Sequence, residues 1–301
     1  MTKKEIIRAL IVVICVVVVV LIIKLIQGID TTKKDLKKLG YSKEDINIIV
    51  EKLNEDEINE ILSLEYSPKL TSILNNKYYI SYNLKEYLSY SKNKDNIDEV
   101  ISLVNVGADN DWYTNTKQTN IELGNKMLVN KYNYLPDDYA PNDIVNIKNW
   151  YAYDGHRTKQ EVYNQYVKMW NKANENGLVL IVNSSYRTLA EQEEQYNMSS
   201  DDYASRPGFS EHQTGLALDI VTYDIIGNEF ENTEEFEWLQ TNAHKYGFIL
   251  RYPKNKEKIT GYSYESWHYR YLGVDLATKV YESGLTYDEY YAYYCEYKNE
   301  C

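Results

Sequence analysis

Two potential metal ligands, His212 and Asp219, lie seven positions apart (219 − 212) on either side of Gly215. Asp219 belongs to the apolar run 216–221, which predicts a buried strand, and a carboxylate there is unfavourable unless it is paired or binds a metal. Seven extended residues span roughly 23 Å and seven helical residues rise roughly 10 Å, so the chain must turn for both side chains to reach one ion. Gly215 permits that turn, and the segment therefore predicts half of a zinc site.

The other half of the predicted site is the downstream segment Glu265-Ser-Trp-His268. His268 offers a third ligand, and a catalytic zinc keeps three protein ligands with one open position for water. That water needs a base beside it, for which a carboxylate is the usual choice, and Glu265 can take this role. The four residues together predict a catalytic site that holds one zinc ion.

The remaining histidines and the tryptophan beside His268 have simpler interpretations. His156 and His244 are interpreted as ordinary surface or core residues, and Trp267 is interpreted as a packing residue that orients His268. Asp219 has an alternative role too, in which it accepts hydrogen bonds from a turn.

The overall composition limits the classes of partner. The net charge of −12 and the pI of about 5.0 argue against an electrostatic nucleic-acid partner, while 44% hydrophobic residues are enough for a substantial core. None of the three cysteines has the C-x-x-C spacing of a zinc knuckle. Cys295 and Cys301 either form a disulfide outside the cell or remain two thiols on the tail, residues 295–301.

The N-terminus predicts a membrane anchor. Basic residues in the predicted cytoplasmic tail, 1–8, precede an apolar segment, 9–28, whose run to Ile26 is near the lower limit for spanning a bilayer. Because the positive flank is N-terminal, the rest of the chain should be exported, which predicts a single-pass protein of the cell membrane with an extracytoplasmic catalytic domain. The alternative is a cleaved signal peptide, although no small-x-small site follows clearly.

Two regions follow the anchor. Residues 29–105 predict a small helical membrane-proximal region, for which wall binding is one interpretation. The catalytic domain is predicted at 120–294. Within it, two pairs have the spacing of helix capping boxes, Thr158 with Glu161 and Thr188 with Glu191.

Three blocks in this chain resemble the VanY-type D-alanyl-D-alanine carboxypeptidases, zinc peptidases of bacterial cell walls. They are Ser184-Ser-Tyr-Arg187, Ser210-x-His-x-x-Gly-x-Ala-x-Asp219 and Glu265-x-Trp-His268, and the similarity covers roughly residues 120–294. The chain departs from the family at Ser266, where proline is common. The resemblance implies an α+β fold of the hedgehog/D,D-peptidase type, in which a small antiparallel sheet carries the zinc site and helices pack on it.

The resemblance also implies a role for each matching residue. The zinc ligands would be His212, Asp219 and His268, and Glu265 would be the general base. Arg187 would bind and polarise the substrate carbonyl, and Ser210 and Gln195 are weaker candidates for substrate contacts. Simpler interpretations remain open, in which Arg187 is a salt-bridge partner, Ser210 a turn residue and Gln195 helix surface.

We therefore expect a membrane-anchored zinc carboxypeptidase that removes the terminal D-alanine from peptidoglycan stem peptides, with D,D-specificity favoured. One alternative is an L,D-carboxypeptidase or a zinc endopeptidase of peptidoglycan, which would use the same residues. A second alternative is a non-catalytic wall-binding protein on the same scaffold.

Overall fold

The computed structural model describes residues 3–199, 201, 204–225 and 227–301, and it describes only the backbone at 3–9, 12 and 22–27. The chain divides into two compact units, Met1–Ile101 and Ser102–Cys301.

The first unit is helical. Its helices are α1 (Lys3–Leu39), α2 (Lys43–Lys52), α3 (Glu55–Leu62), α4 (Leu70–Leu74) and α5 (Leu84–Ser91), and α6 (Ile97–Val106) continues into the second unit. Side-chain capping boxes start α2 at Ser42 and α3 at Asn54, where they satisfy backbone N–H groups that have no intrahelical partner. Apolar residues at helical spacing form the core of this unit, and Leu36, Ile49, Ile73 and Val100 among them are fully buried.

The predicted membrane anchor at 9–28 falls within α1. In the part of the chain that the structure describes, no helix combines the length and the apolarity needed to cross a bilayer. The side chains at 9, 12 and 22–27, which belong to the predicted anchor, lie outside the described part.

The second unit combines short strands with helices. Its strands are β1 (Lys117–Gln118), β2 (Asn133–Tyr134), β3 (Ile144–Asn146), β4 (Arg157–Lys159), β5 (Ile181–Ser184), β6 (Ala217–Val221), β7 (Phe248–Leu250) and β8 (His268–Tyr271). Its further helices are α7 (Gln160–Glu175), α8 (Leu189–Asn197), α9 (Glu234–Asn242), α10 (Glu257–Thr260), α11 (Val274–Ser283) and α12 (Tyr287–Tyr290), and a π-helix (Tyr291–Tyr297) follows α12. Strands β5, β6, β8 and β7 form one antiparallel sheet in that order. This confirms the predicted α+β fold with a small antiparallel sheet.

The two faces of this sheet differ in chemistry. Alternate residues of β6 and β8, such as Leu218 and Tyr269, belong to the large hydrophobic cluster of the second unit, its main core. The buried face of α7 belongs to the same cluster. Because side chains alternate along a strand, Asp219, His268 and Arg270 lie on the opposite face. The sheet therefore directs its polar side chains away from the main core and toward a single region.

The structure decides three local expectations. Thr188 and Glu191 form the predicted capping box at the start of α8. The other predicted box is wrong, because Thr158 lies in β4, where its hydroxyl donates to the Gly215 carbonyl at 2.8 Å. Helix α7 begins after Lys159 without a side-chain cap. Cys295 and Cys301, for which two states were open, are joined by a disulfide.

Candidate metal centre and active site

A tight turn brings His212 back to Asp219. A short 3₁₀ helix, Glu211–Thr214, ends at Gly215, whose φ of 69° is left-handed. A Cβ at this glycine would lie only 2.8 Å from the Ile144 side chain, so neither the backbone conformation nor the space suits a larger residue. The chain then enters β6, and His212 Nε2 lies 3.4 Å from Asp219 Oδ1.

Strand pairing brings in the third potential ligand, His268. Asp219 and His268 are directly opposed in β6 and β8, with His268 Nδ1 3.2 Å from Asp219 Oδ1. The potential ligand atoms of His212, Asp219 and His268 all lie within 4.8 Å of one another. Among the described residues, the buried Asp219 Oδ1 has no hydrogen-bond partner, although two ring nitrogens face it. A cation is the group that fits this arrangement, and two imidazoles with one carboxylate are a donor set typical of catalytic zinc.

The hydrogen bonds of each ring decide which nitrogen faces the ion. His212 Nδ1 contacts the Ser185 carbonyl at 2.8 Å, which makes Nδ1 the donor and leaves the Nε2 lone pair toward Asp219. His268 Nε2 contacts Glu211 Oε2 at 3.4 Å, so a neutral His268 presents its Nδ1 lone pair. The two histidines would therefore bind an ion through different nitrogens.

The two rings have opposite affinities for protons. Burial and the charge of Arg187 lower the pKa of His212 to about 4, so this ring is neutral at physiological pH. Burial also acts to lower the pKa of His268, but its contacts with Asp219 and Glu211 raise it to about 9. A metal must therefore displace a proton from His268 when it binds.

Glu265 lies beside the ligand cluster. Its Oε2 is 3.5 Å from His268 Nδ1. Burial, with a further contribution from the charge of Asp219, raises the pKa of Glu265 to about 7 against the opposing effects of His268 and Arg187. A carboxyl group that titrates near neutral pH is well matched to accept and return a proton.

Arg187 is fixed at the exit of β5. Its Nε donates to Gln192 Oε1 at 2.8 Å, and its Nη1 donates to Ser184 Oγ at 2.9 Å. Burial lowers the pKa of Arg187, while Asp219 and Glu265 act in the opposite direction. The guanidinium is therefore held rigidly as a positive charge next to the two carboxylates.

All seven residues singled out from the sequence line one cavity of about 190 Å³, namely Arg187, Gln195, Ser210, His212, Asp219, Glu265 and His268. Ser210 is buried, whereas Gln195 is an exposed residue of α8 at the cavity wall. Their individual roles stay predictions. Trp267 is half-buried, packs against the main core and also lines the cavity.

Four further residues at this site were not predicted from the sequence. Gln192 holds Arg187, and Tyr252, Tyr262 and Glu211 line the cavity. The sequence pointed to Glu211 only indirectly. Arg251 and Arg270, which bind Glu211, lie in segments whose sequence is typical of strands.

Glu211 is buried in a cluster of charges. Its Oε1 accepts hydrogen bonds from Arg251 Nε at 2.8 Å and from Arg270 Nη1 at 2.7 Å. Arg251 also binds Asp288 through two nitrogens, at 2.5 and 3.0 Å. Burial acts to raise the pKa of Glu211, but Arg251, Arg270 and His268 together hold it well below its ordinary value. Glu211 is therefore an anion directly behind His268.

Comparison with known proteins agrees with this geometry. A family model described as VanY, D-alanyl-D-alanine carboxypeptidase, matches residues 155–274. A D-alanyl-D-alanine carboxypeptidase of Enterococcus faecalis is 34% identical over 198 residues, which is 58% of this chain and 70% of that protein. The putative carboxypeptidase YodJ of Bacillus subtilis is 36% identical over 184 residues, covering 54% of this chain and 66% of YodJ.

A solved structure of the LdcB LD-carboxypeptidase, which concerns peptidoglycan recognition, is similar with a TM-score of 0.55 and 33% identity. The similarity covers 60% of this chain and 91% of that structure. The chain thus spans about two thirds of the length of the two relatives above, at 66% and 70%, and nearly all of this solved structure.

Proposed function

Because the chain belongs to the VanY family of D-alanyl-D-alanine carboxypeptidases, we propose that it is a zinc carboxypeptidase that removes the terminal D-alanine of peptidoglycan stem peptides. The observation that carries the proposal is the convergence of His212, Asp219 and His268, with Glu265 Oε2 3.5 Å from a ligand nitrogen. This arrangement supplies three metal ligands and a base, as hydrolysis of an amide requires.

Zinc in this site would supply a Lewis acid and would lower the pKa of a water in its open position toward ~7. Glu265 takes a proton from the water whose oxygen attacks the penultimate carbonyl carbon of the stem peptide. The C–N bond to the terminal D-alanine then breaks, and Glu265 returns the proton to the leaving amine. Burial raises the pKa of Glu265 to about 7, where the carboxyl group can both accept and return a proton.

Arg187 stabilises the negative charge that develops on the substrate carbonyl oxygen. Gln192 and Ser184 fix its guanidinium before the substrate arrives, so no reorganisation is needed during the reaction. A preorganised donor of this kind contributes roughly 3–4 kcal/mol in other hydrolases. Ser210 and Gln195 would contact the substrate from the cavity wall.

The second candidate is an L,D-carboxypeptidase, which would release the fourth-position alanine with the same residues. The similarity to an LD-carboxypeptidase structure favours it. Two further candidates are a zinc endopeptidase, which would cut within the stem peptide or its crosslinks, and a wall-binding protein without activity.

Mass spectrometry of pentapeptide and tetrapeptide muropeptides, with and without a chelator, distinguishes these candidates. We expect the pentapeptide to lose one alanine and the chelator to prevent this loss. Conversion of the tetrapeptide alone would support L,D-specificity, and cleavage of crosslinked peptides without free alanine would support an endopeptidase. A protein that binds zinc yet leaves every muropeptide unchanged would instead be a binding protein.

The proposed location is the cell membrane, with the catalytic unit outside the cytoplasm. The support comes from the sequence, in which Lys3, Lys4 and Arg8 precede the apolar segment 9–28. Fractionation of cells that express the full chain tests this location. Recovery in the membrane fraction, with the catalytic unit open to added protease in spheroplasts, is expected, and recovery in the soluble fraction would contradict it.

A further inference from the structure

Glu211 has no part in the proposed mechanism, yet it is fully buried against a metal ligand. Its Oε1 is occupied by Arg251 and Arg270, at 2.8 and 2.7 Å. Its Oε2 faces His268 Nε2 at 3.4 Å. The two arginines fix the rotation of the carboxylate, so Oε2 is directed at the imidazole.

We propose that Glu211 is a positioning residue, which holds His268 in the tautomer that places the proton on Nε2 and the lone pair on Nδ1. A neutral imidazole carries its proton on either nitrogen, and only this tautomer can bind an ion through Nδ1. The Nδ1 atom is the one beside Asp219 and Glu265, at 3.2 and 3.5 Å. The inference rests on the proposed function only in that it requires a bound zinc.

The charges around Glu211 suit this role. Two guanidinium groups, Arg251 and Arg270, are balanced within the cluster by two carboxylates, Glu211 and Asp288. The cluster is thus neutral without a proton on His268, which can bind the ion as a neutral ligand. Carboxylates that orient metal-bound histidines in this way commonly change metal affinity by roughly 10–100-fold when they are replaced.

Glu211→Gln tests the proposal sharply because of the two arginines. The amide has one oxygen, and both guanidinium groups can only donate, so the oxygen will stay on Arg251 and Arg270. The amide NH₂ then faces His268 Nε2 and donates to it. This stabilises the opposite tautomer, with a proton on Nδ1, and the ring loses its lone pair toward the metal.

Asp288→Asn is the matched control. It removes one negative charge from the same buried cluster, also at a contact with Arg251, but it leaves the contact between Glu211 and His268 in place. Both variants should be less stable than the original protein, since each leaves a buried guanidinium without its full balance. Only Glu211→Gln should alter the tautomer of His268.

The first measurement is zinc affinity by competition with a chromophoric chelator, on full-length proteins whose folding is checked by circular dichroism. We expect Glu211→Gln to weaken zinc binding roughly 10–100-fold and Asp288→Asn to change it less than about threefold. Equal losses in the two variants, or no loss in Glu211→Gln, would overturn the proposal.

The second measurement needs no variant and therefore does not depend on the folding of Glu211→Gln. The chain has only four histidines, so ¹⁵N-histidine NMR of the zinc-loaded protein can resolve each ring. We expect His268 to carry its proton on Nε2 and to bind zinc through Nδ1. A proton on Nδ1 would overturn the proposal while leaving carboxypeptidase activity possible. Failure of the original protein to bind zinc would overturn both the proposal and the proposed function.

Discussion

Asp219 and His268 face each other across β6 and β8 as a directly paired couple, with Oδ1 and Nδ1 3.2 Å apart. Opposed residues of neighbouring strands lie on the same face of a sheet, so the strand register alone brings these two ligands together. A slip of one residue in either strand would send them to different faces. His212 depends instead on the turn at Gly215.

Gly215→Ala should weaken zinc binding as well as stability. Its φ of 69° is strained for alanine, at roughly 1–2 kcal/mol, and its Cβ would press on Ile144 and displace the turn that carries His212. Gly284→Ala is the control, because its φ of 70° is nearly the same but its Cβ would meet no atom of the described residues within 4 Å. Urea unfolding and zinc titration should show that both variants lose stability and that only Gly215→Ala loses zinc affinity. Equal zinc affinities in the two variants would contradict this.

Glu265→Gln should retain zinc and lose most turnover. The amide keeps the shape of the side chain but cannot accept the proton, and a general base commonly contributes roughly 10²–10⁴-fold to the rate. Alanine release and bound zinc are measured on the same sample. Glu282→Gln, an exposed carboxylate of α11, should behave like the original protein. Near-normal turnover in Glu265→Gln would show that another group is the base.

Removal of zinc should lower the melting temperature, because the ion binds only the folded site. At a free zinc concentration a thousandfold above its Kd, binding stabilises a protein by about 4 kcal/mol. Calorimetry with a chelator, and after zinc is added back, should show a reversible shift. Asp219→Asn replaces the carboxylate that faces both histidines, and it should abolish the shift in melting temperature. A full response of this variant to zinc would exclude Asp219 as a ligand.

The acidic side of the pH–rate profile should report Glu265. Burial raises its pKa to about 7, and only the ionised form can accept a proton, so kcat/KM should fall as the pH decreases through this pKa. A positive ion beside the carboxylate favours ionisation, which places the midpoint at or below 7. The residual activity of Glu265→Gln should lack this dependence. A rate that rises as the pH decreases would contradict the assignment.

The sequence predicts the structure correctly where the interactions are local. The capping box of Thr188 and Glu191 is formed by residues three positions apart, and the strand of Asp219 is set by its own apolar neighbours. The same box pattern failed at Thr158, because this residue lies in β4, paired with Val145, and α7 begins only after Lys159. The pairing of β4 with β3 is a tertiary interaction, which the spacing of residues within one segment does not reveal.

Glu211 could not be predicted for the same reason. Its partners Arg251 and Arg270 are 40 and 59 residues away, and no spacing rule connects them. The sequence nevertheless contained a signal for an acid at this place, in the two arginines. Arg251 and Arg270 each interrupt a strand-like segment and are fully buried, and a buried arginine requires an anion. The strand-like sequence around the two arginines was thus a signal for a buried acid that went unused, and the fold identifies this acid as Glu211.

The contact between Arg251 and Asp288 has a consequence for the order of events during synthesis. Asp288 follows the last ligand, His268, by 20 positions (288 − 268), yet it completes the charge cluster behind that ligand. A nascent chain that has emerged as far as His268 therefore contains all three potential ligands, but it does not yet contain Asp288, which binds Arg251 in the cluster. The charge cluster behind His268 can therefore be completed only after α12 has been synthesised and has docked.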